Sequence, residues 1–202
     1  DVLDALGIPL LGVDDYEADD LMATFAVKQP GPIRIVTGDR DLFQLADDER
    51  DVKIVYLAKG ISNHDLVDRA WIKQRYEIPG DRYALFAMIR GDASDGLPGI
   101  RGIGEKGAAT IANSFSSLGE VMKAAAAGDE RLTPNLCKKL LESADYAAIA
   151  PKLVGCALDV AIPEMDIALP KKPKSLAKIE KLKEEYGLGA SIDRIISALN
   201  WV

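Results

Sequence analysis

The chain has 202 residues, 48% hydrophobic and 28% charged, with a formal net charge of −7. That is enough apolar material for a compact globular domain with a helical appendage, and too much for a disordered chain. No run of about 18 apolar residues exists to span a bilayer, and residues 1–6 lack the basic and apolar regions of a secretory signal, so a soluble cytoplasmic protein with no membrane partner is expected.

In chain order, residues 1–6 read as the last turns of a helix stopped by Gly7, which implies that the chain starts within a domain. Residues 8–13 form a short apolar run bounded by Gly7 and Asp14-Asp15, the pattern of a buried strand. A helix is predicted over 16–28, with Ala18, Leu21, Met22 and Phe25 on its apolar face and Asp14 and Glu17 in capping-box spacing. Strands follow over 33–37 and 52–57, joined by an acidic connection, and this β-α-β order implies parallel pairing. Helices are expected over 69–76 and 83–90, then a Gly- and Pro-rich loop over 96–103. Beyond it only helices are predicted, over 105–113, 118–126, 135–141, 146–157, 175–186 and 191–199, with an extended connector over 163–173. Cys137 and Cys156 are far apart, form no C-x-x-C pair and lie in apolar, helical sequence, so they read as buried thiols of a reducing compartment rather than a disulfide or zinc site.

Charge is unevenly spread. Residues 1–95 hold 19 acidic and 11 basic side chains, net −8, whereas 96–202 hold 13 and 14, net +1. The acids fall into three groups: Glu17, Asp19 and Asp20 at a helix start, Asp39 and Asp41 directly after a strand, and Asp92 and Asp95 after a helix. Carboxyl ends of parallel strands form the ligand crevice of an open α/β sheet, and the Gly38-Asp39-Arg40-Asp41 turn belongs there. Carboxylates converging on one crevice repel and raise one another's pKa unless cations neutralise them. All-oxygen ligation suits Mg²⁺ or Mn²⁺, and a pair of such ions suits phosphodiester hydrolysis. Each group also has a purely structural reading, since acids cap helices and shape Asx turns. The only histidine, His64, sits in a predicted turn, which gives no support to a Ser-His-Asp or Cys-His arrangement.

Gly102-Ile103-Gly104-Glu105-Lys106-Gly107 matches G-x-G-x-x-G in form, but Pro98-Gly99 just upstream leaves no room for the strand a dinucleotide fold requires. What remains is helix, glycine-rich turn, helix, a geometry that offers backbone N–H groups and a positive helix end to phosphate oxygens. Gly99, Arg101, Gly102, Gly104 and Lys106 are the candidate DNA-binding residues; glycines in such a turn also serve purely steric ends.

Taken together, Tyr-Glu-Ala-Asp-Asp-Leu at 16–21, Val-Thr-Gly-Asp-Arg-Asp-Leu-Phe-Gln-Leu at 36–45, and Ile-Arg-Gly-Asp-Ala-Ser-Asp-Gly-Leu-Pro-Gly-Ile-Arg-Gly-Ile-Gly-Glu-Lys at 89–106 resemble the 5′ nuclease superfamily, most closely the bacterial 5′-3′ exonucleases and flap endonucleases and the N-terminal domain of DNA polymerase I. The resemblance implies an α/β fold: a mostly parallel, PIN-like core over 1–95 and a helical region over 96–202 opening with a helix-three-turn-helix element. It implies two divalent ions, with Glu17 at the first site, Asp19 between the sites, Asp39, Asp41 and Asp95 at the second, and Asp20 and Asp92 acting through water. It further implies a potassium ion at residues 97–103, a monomer associated with the bacterial nucleoid, DNA with 5′ flaps, nicks, gaps or duplex 5′ ends as substrate, and a DNA polymerase as fused or separate partner in replication and repair. The family's first strand, its leading aspartates and its basic arch have no match here, so the chain alone is expected to be inactive, and a non-catalytic DNA-binding module stands as the alternative.

Overall fold

The computed structural model describes residues 1–200. In chain order its helices are α1 (Val2–Leu6), α2 (Ala18–Lys28), α3 (Arg69–Tyr76), α4 (Tyr83–Arg90), α5 (Glu105–Ser114), α6 (Leu118–Ala127), α7 (Pro134–Glu142), α8 (Ala144–Val154), α9 (Leu176–Tyr186) and α10 (Gly189–Ala198); its strands are β1 (Ile33–Thr37), β2 (Val52–Tyr56) and β3 (Asp65–Val67). Contacts divide the chain into two compact units, one of Asp1–Glu17 with Ala161–Val202 and the other of Ala18–Val160. The predicted division after residue 95 falls inside the larger unit, in the loop that follows α4.

The smaller unit closes around Ala5 and Leu6 of α1, Ile179 and Leu182 of α9 and Ile192 of α10. Gly7 (φ 81°) and Gly187 (φ 64°) end α1 and α9 in the left-handed region, and the Ser175 hydroxyl caps α9 by accepting from Lys178 N–H. Residues 8–13 do not form the expected strand: among the described residues no strand pairs with them, and Leu10 is 77% exposed. Only the ends of the run are tied to the backbone, Ile8 N–H to Leu3 O and Tyr16 N–H to Val13 O, and a strand needs a partner ladder that hydrophobicity alone does not announce.

The larger unit is built on a three-stranded sheet in the order β1-β2-β3. β1 and β2 pair in parallel, as expected, with Ile35 opposite Ile54, whereas β3 runs antiparallel to β2 with Asp65 opposite Tyr56. The expected mostly parallel sheet therefore has one ladder of each kind. Three residues placed just after His64 carry too little periodic pattern to announce β3.

Ile35, Val52, Ile54 and Val67 bury one face of the sheet against a continuous core that runs through α3 to α8. Its centre is aromatic. Phe43, fully buried, meets Tyr56 at 4.9 Å, Tyr83 at 5.2 Å and Trp71 at 5.6 Å between ring centroids. Phe43 and the equally buried Leu42 lie in a 3-10 turn, Asp41–Leu45, so the acid that opens the turn is anchored from beneath. Helix ends in this unit follow from side chains in the sequence. Asp68, Ser117 and Thr133 accept from the first-turn N–H groups of α3, α6 and α7, caps of about 1 kcal/mol each, and Pro134 takes the first position of α7.

Candidate functional site

Two acidic turns meet at one edge of the larger unit. The first follows β1: Asp39 N–H donates to Thr37 Oγ1 at 3.0 Å, and Asp41 N–H donates to Asp39 Oδ1 at 2.8 Å, an Asx turn that leads into the Phe43-anchored 3-10 turn. The second follows α4. Asp92 and Leu97 exchange backbone hydrogen bonds of 3.0 and 2.8 Å, which closes a tight turn with Asp95 exposed on it.

A guanidinium ties the turns together. Arg40 Nη2 donates to Asp92 Oδ2 at 2.8 Å across 52 residues of sequence, and Arg90 Nη2 approaches the same oxygen at 3.3 Å. Asp92 also accepts from the N–H and hydroxyl of Ser94. Burial works against its charged form, but these hydrogen bonds and the two arginines outweigh it and hold the carboxyl below the ordinary range.

Asp41 shows the opposite. Burial, then the negative charges of Asp39, Asp95 and Asp92, push its carboxyl up to about 6, with Arg90 opposing. Both arginines are bonded to Asp92, so at Asp41 burial and the neighbouring carboxylates outweigh the one opposing charge, Arg90. Asp19 and Asp20, in the first turn of α2, face the same region. Cys156 feels both groups: its thiol is pushed up to about 12 by burial and by Asp19, Asp20, Asp41 and Asp39 in that order. Glu17 belongs to the smaller unit.

Asp20 has a structural duty as well: its Oδ1 accepts from Ala157 N–H at 2.7 Å. One turn on, the Thr24 hydroxyl donates to Ala157 O at 3.2 Å and accepts from Val160 N–H at 3.3 Å; a turn later Lys28 Nζ donates to Val160 O at 3.0 Å. Spacing of four residues puts all three on one face of α2, which pins the chain after α8. No sequence window shows contacts more than 130 residues apart.

The chemistry of the donors fits a hard divalent cation: several carboxylate oxygens, like charges that raise one another's proton affinity, and no competing soft ligand cluster. The geometry is looser than a finished cage. Among the described residues no group of three or more His, Cys, Asp or Glu side chains stands ready to close on an ion.

Behind the second turn the backbone crosses itself. A Cβ on Gly91 would lie 2.5 Å from Gly99 N, and one on Gly99 would lie 2.6 Å from the Arg90 carbonyl; both glycines have positive φ, 74° and 65°. Only glycine fits at either position. Ile100 N–H then donates to Ile89 O at 2.9 Å, and Ile100 and Ile103 plug the loop into the core between α4 and α5. Gly104 precedes the first residue of α5, and Arg101, Gly102, Gly104 and Lys106 are all exposed, while Gly99 is buried in the crossing. Lys139 of α7, which has no motif to mark it, donates to Gly102 O at 2.7 Å and adds a third cation. Arg90, also overlooked at the sequence level, had a signal available: it stands two residues before Asp92 at the end of an apolar helix.

Comparison with known proteins gives a consistent result. A family model described as the 5′-3′ exonuclease N-terminal resolvase-like domain matches residues 1–77, and one described as the 5′-3′ exonuclease C-terminal SAM fold matches residues 78–177. A 5′-3′ exonuclease of Streptomyces coelicolor is 46% identical over 98% of this chain, and one of Mycobacterium tuberculosis 36% identical over 99%. The thermostable DNA polymerase I of Thermus aquaticus is 32% identical over 93%. This chain spans 66%, 65% and 22% of those three proteins. Among solved structures, T5 5′-exonuclease with bound zinc aligns with a TM-score of 0.59 over 74% of this chain and 53% of its own, at 19% identity. The T5 D15 flap endonuclease in complex with DNA and metal ions aligns at 0.56 over 73% and 52%, at 16% identity. Both show the same mixed α/β fold.

Proposed function

This chain belongs to the 5′-3′ exonuclease family, and on that premise we propose that it serves the metal-dependent hydrolysis of phosphodiester bonds near the 5′ ends of DNA, at flaps, nicks and gaps. The observation that carries the reading is the Arg40–Asp92 bridge, which sets two acidic turns side by side with the glycine loop directly behind them. Asp39, Asp41 and Asp95 would hold one divalent ion directly, with Asp19 serving a neighbouring one and Asp20 and Asp92 acting through water. Mg²⁺ or Mn²⁺ held there would supply an activated water and a counter-charge for the leaving oxygen.

The remaining work falls to the chain itself. Arg40 and Arg90 keep Asp92 ionised and fixed, and through it the Asp92–Leu97 turn that carries Asp95. Phe43 and Leu42 fix Asp41 from below. The loop from Gly99 to Gly104, read as a helix-three-turn-helix with Arg101, Lys106 and Lys139 around it, grips the phosphate backbone without reading sequence. Its carbonyls would take a potassium ion, although Gly102 O is already engaged by Lys139. A DNA polymerase is the expected partner in replication and repair.

The test is cleavage of a 5′-flap duplex in Mg²⁺ or Mn²⁺, with Asp41→Ala and Asp95→Ala beside the parent protein. Cleavage lost by about 10³-fold in both variants supports the site, on the scale of removing a group that stabilises developing charge; full cleavage in both overturns it. A second reading, a DNA-holding module without catalysis, is favoured by the absence of any three converging donors among the described residues. It predicts salt-dependent flap binding by this chain and no product with either metal.

A further inference from the structure

Beside the acidic edge, at the carboxyl ends of β1 and β2, lies a cavity of about 500 Å³ that the nuclease site does not use. Its size is that of small-molecule sites, roughly 300–1,000 Å³, and its position is where open α/β sheets bind ligands. Three cations and one acid line it: Arg40 from the acidic turn, Lys59 after β2, Arg75 from α3, and Asp65 at the start of β3, which leaves a net positive rim. The side chains of Lys59 and Arg75 are 69% and 58% exposed, each with one weak acidic contact, Lys59 to Asp65 at 3.3 Å and Arg75 to Glu105 at 3.8 Å. The apolar wall is aromatic, from the partly exposed Tyr56 and Trp71. Phe43 backs both rings, so they form a supported surface instead of mobile side chains.

Cations on the rim and aromatic faces on the wall are the two components of single-stranded nucleic-acid sites: charge follows the backbone and any base stacks. The cavity is also connected at both ends. Arg40 is shared with Asp92 of the acidic edge, and Arg75 reaches Glu105, the first residue of α5 behind the glycine loop. We propose that this cavity is a nucleotide pocket, taking one unpaired nucleotide of a DNA strand that continues into the acidic edge. Its base rests on Trp71 and Tyr56, and its phosphate lies between Lys59 and Arg75. The purpose given to the pocket rests on the nuclease reading above, but its occupancy does not, because binding needs no divalent metal.

The chain has two tryptophans, so Trp201→Phe leaves Trp71 as the sole tryptophan, excited at a wavelength that the six tyrosines do not absorb. In EDTA, where no hydrolysis occurs, this protein is titrated with a single-stranded thymidine tetranucleotide, with 5′-thymidine monophosphate and with inorganic phosphate. The tetranucleotide should quench Trp71 and bind about tenfold or more tighter than the mononucleotide, since neighbouring phosphates add contacts, and inorganic phosphate should leave emission unchanged. Lys59→Glu with Arg75→Glu should weaken tetranucleotide binding about tenfold or more, and Arg75→Lys should keep it within roughly threefold. Lys106→Glu, in the loop, should leave the quench intact while lowering duplex affinity. No quench by the tetranucleotide, or a quench untouched by the double charge reversal, overturns the pocket. Equal affinity for the mononucleotide overturns its assignment to a strand. Loss of cleavage in the flap assay with this binding preserved would count against the nuclease reading alone.

Discussion

Asp4, in the smaller unit, receives Lys174 Nζ at 2.6 Å and Lys178 Nζ at 3.0 Å, and those two ammonium groups bring its carboxyl down to about 2. Asp41, in the larger unit, has burial and three other carboxylates around it and is pushed up to about 6. The same residue type thus meets opposite treatment. Asp4 helps to hold α1 to α9 and is neutralised by its neighbours. Asp41 is held rigidly by Leu42 and Phe43 in a place where ionisation is unfavourable, and the nearby arginines are directed to Asp92. An acid kept among like charges by a rigid support is a cost to stability that a bound cation removes.

That contrast can be broken in steps. The largest effect after loss of cleavage should come from Gly99→Ala. Its Cβ would meet backbone atoms at 2.6 Å with φ at 65°, so the crossing behind the Asp92–Leu97 turn has to open. A loss on the order of 3 kcal/mol or more in urea unfolding is expected, and unchanged stability would remove the crossing as the support of the acidic edge.

Asp41→Asn should act the other way. A carboxyl raised from 3.8 to about 6 binds its proton more tightly in the folded state, so its contribution is most favourable below pH 3.8 and is lost as pH rises through about 6. Without metal, Asp41→Asn should therefore stabilise the protein at pH 8 by about 2 kcal/mol after allowing for water screening, and change it little at pH 4. Thermal unfolding in EDTA at the two pH values measures this, and destabilisation at pH 8 would contradict the like-charge account. The smallest effect belongs to Asp4→Asn. Its lowered carboxyl contributes above pH 3.8 and loses that contribution as pH falls through about 2, but the pair is exposed; Tm at pH 7 should move by no more than about 2 °C.

Much of this was legible in the sequence because local rules and the tertiary structure agreed. β1, α3 and α4 fall at their expected residues, and the Gly38-Asp39-Arg40-Asp41 turn sits at the end of β1 as the β-α-β order required. Residues 8–13 failed because an apolar run says nothing about whether a partner strand exists. β3 was too short to show a period. At the site, the acids were visible as residue types, but what distinguishes them was not: Arg40 and Arg90 both turn to Asp92, Asp20 also holds Ala157 N–H, and Cys156 feels the charge of both acid pairs. Apart from Arg90, which stands two residues before Asp92, those contacts reach across 52 to 137 residues of chain and are set by packing and not by local pattern.

The most direct test is to follow the Asp41 carboxyl carbon by NMR through a pH titration of this protein, with and without Mg²⁺. The structure predicts a midpoint near pH 6 in EDTA, falling by at least about two units when Mg²⁺ binds, because a divalent ion favours the charged carboxylate. A midpoint near 4 in both conditions would mean that the acids neither crowd one another nor hold a metal, and would contradict the account.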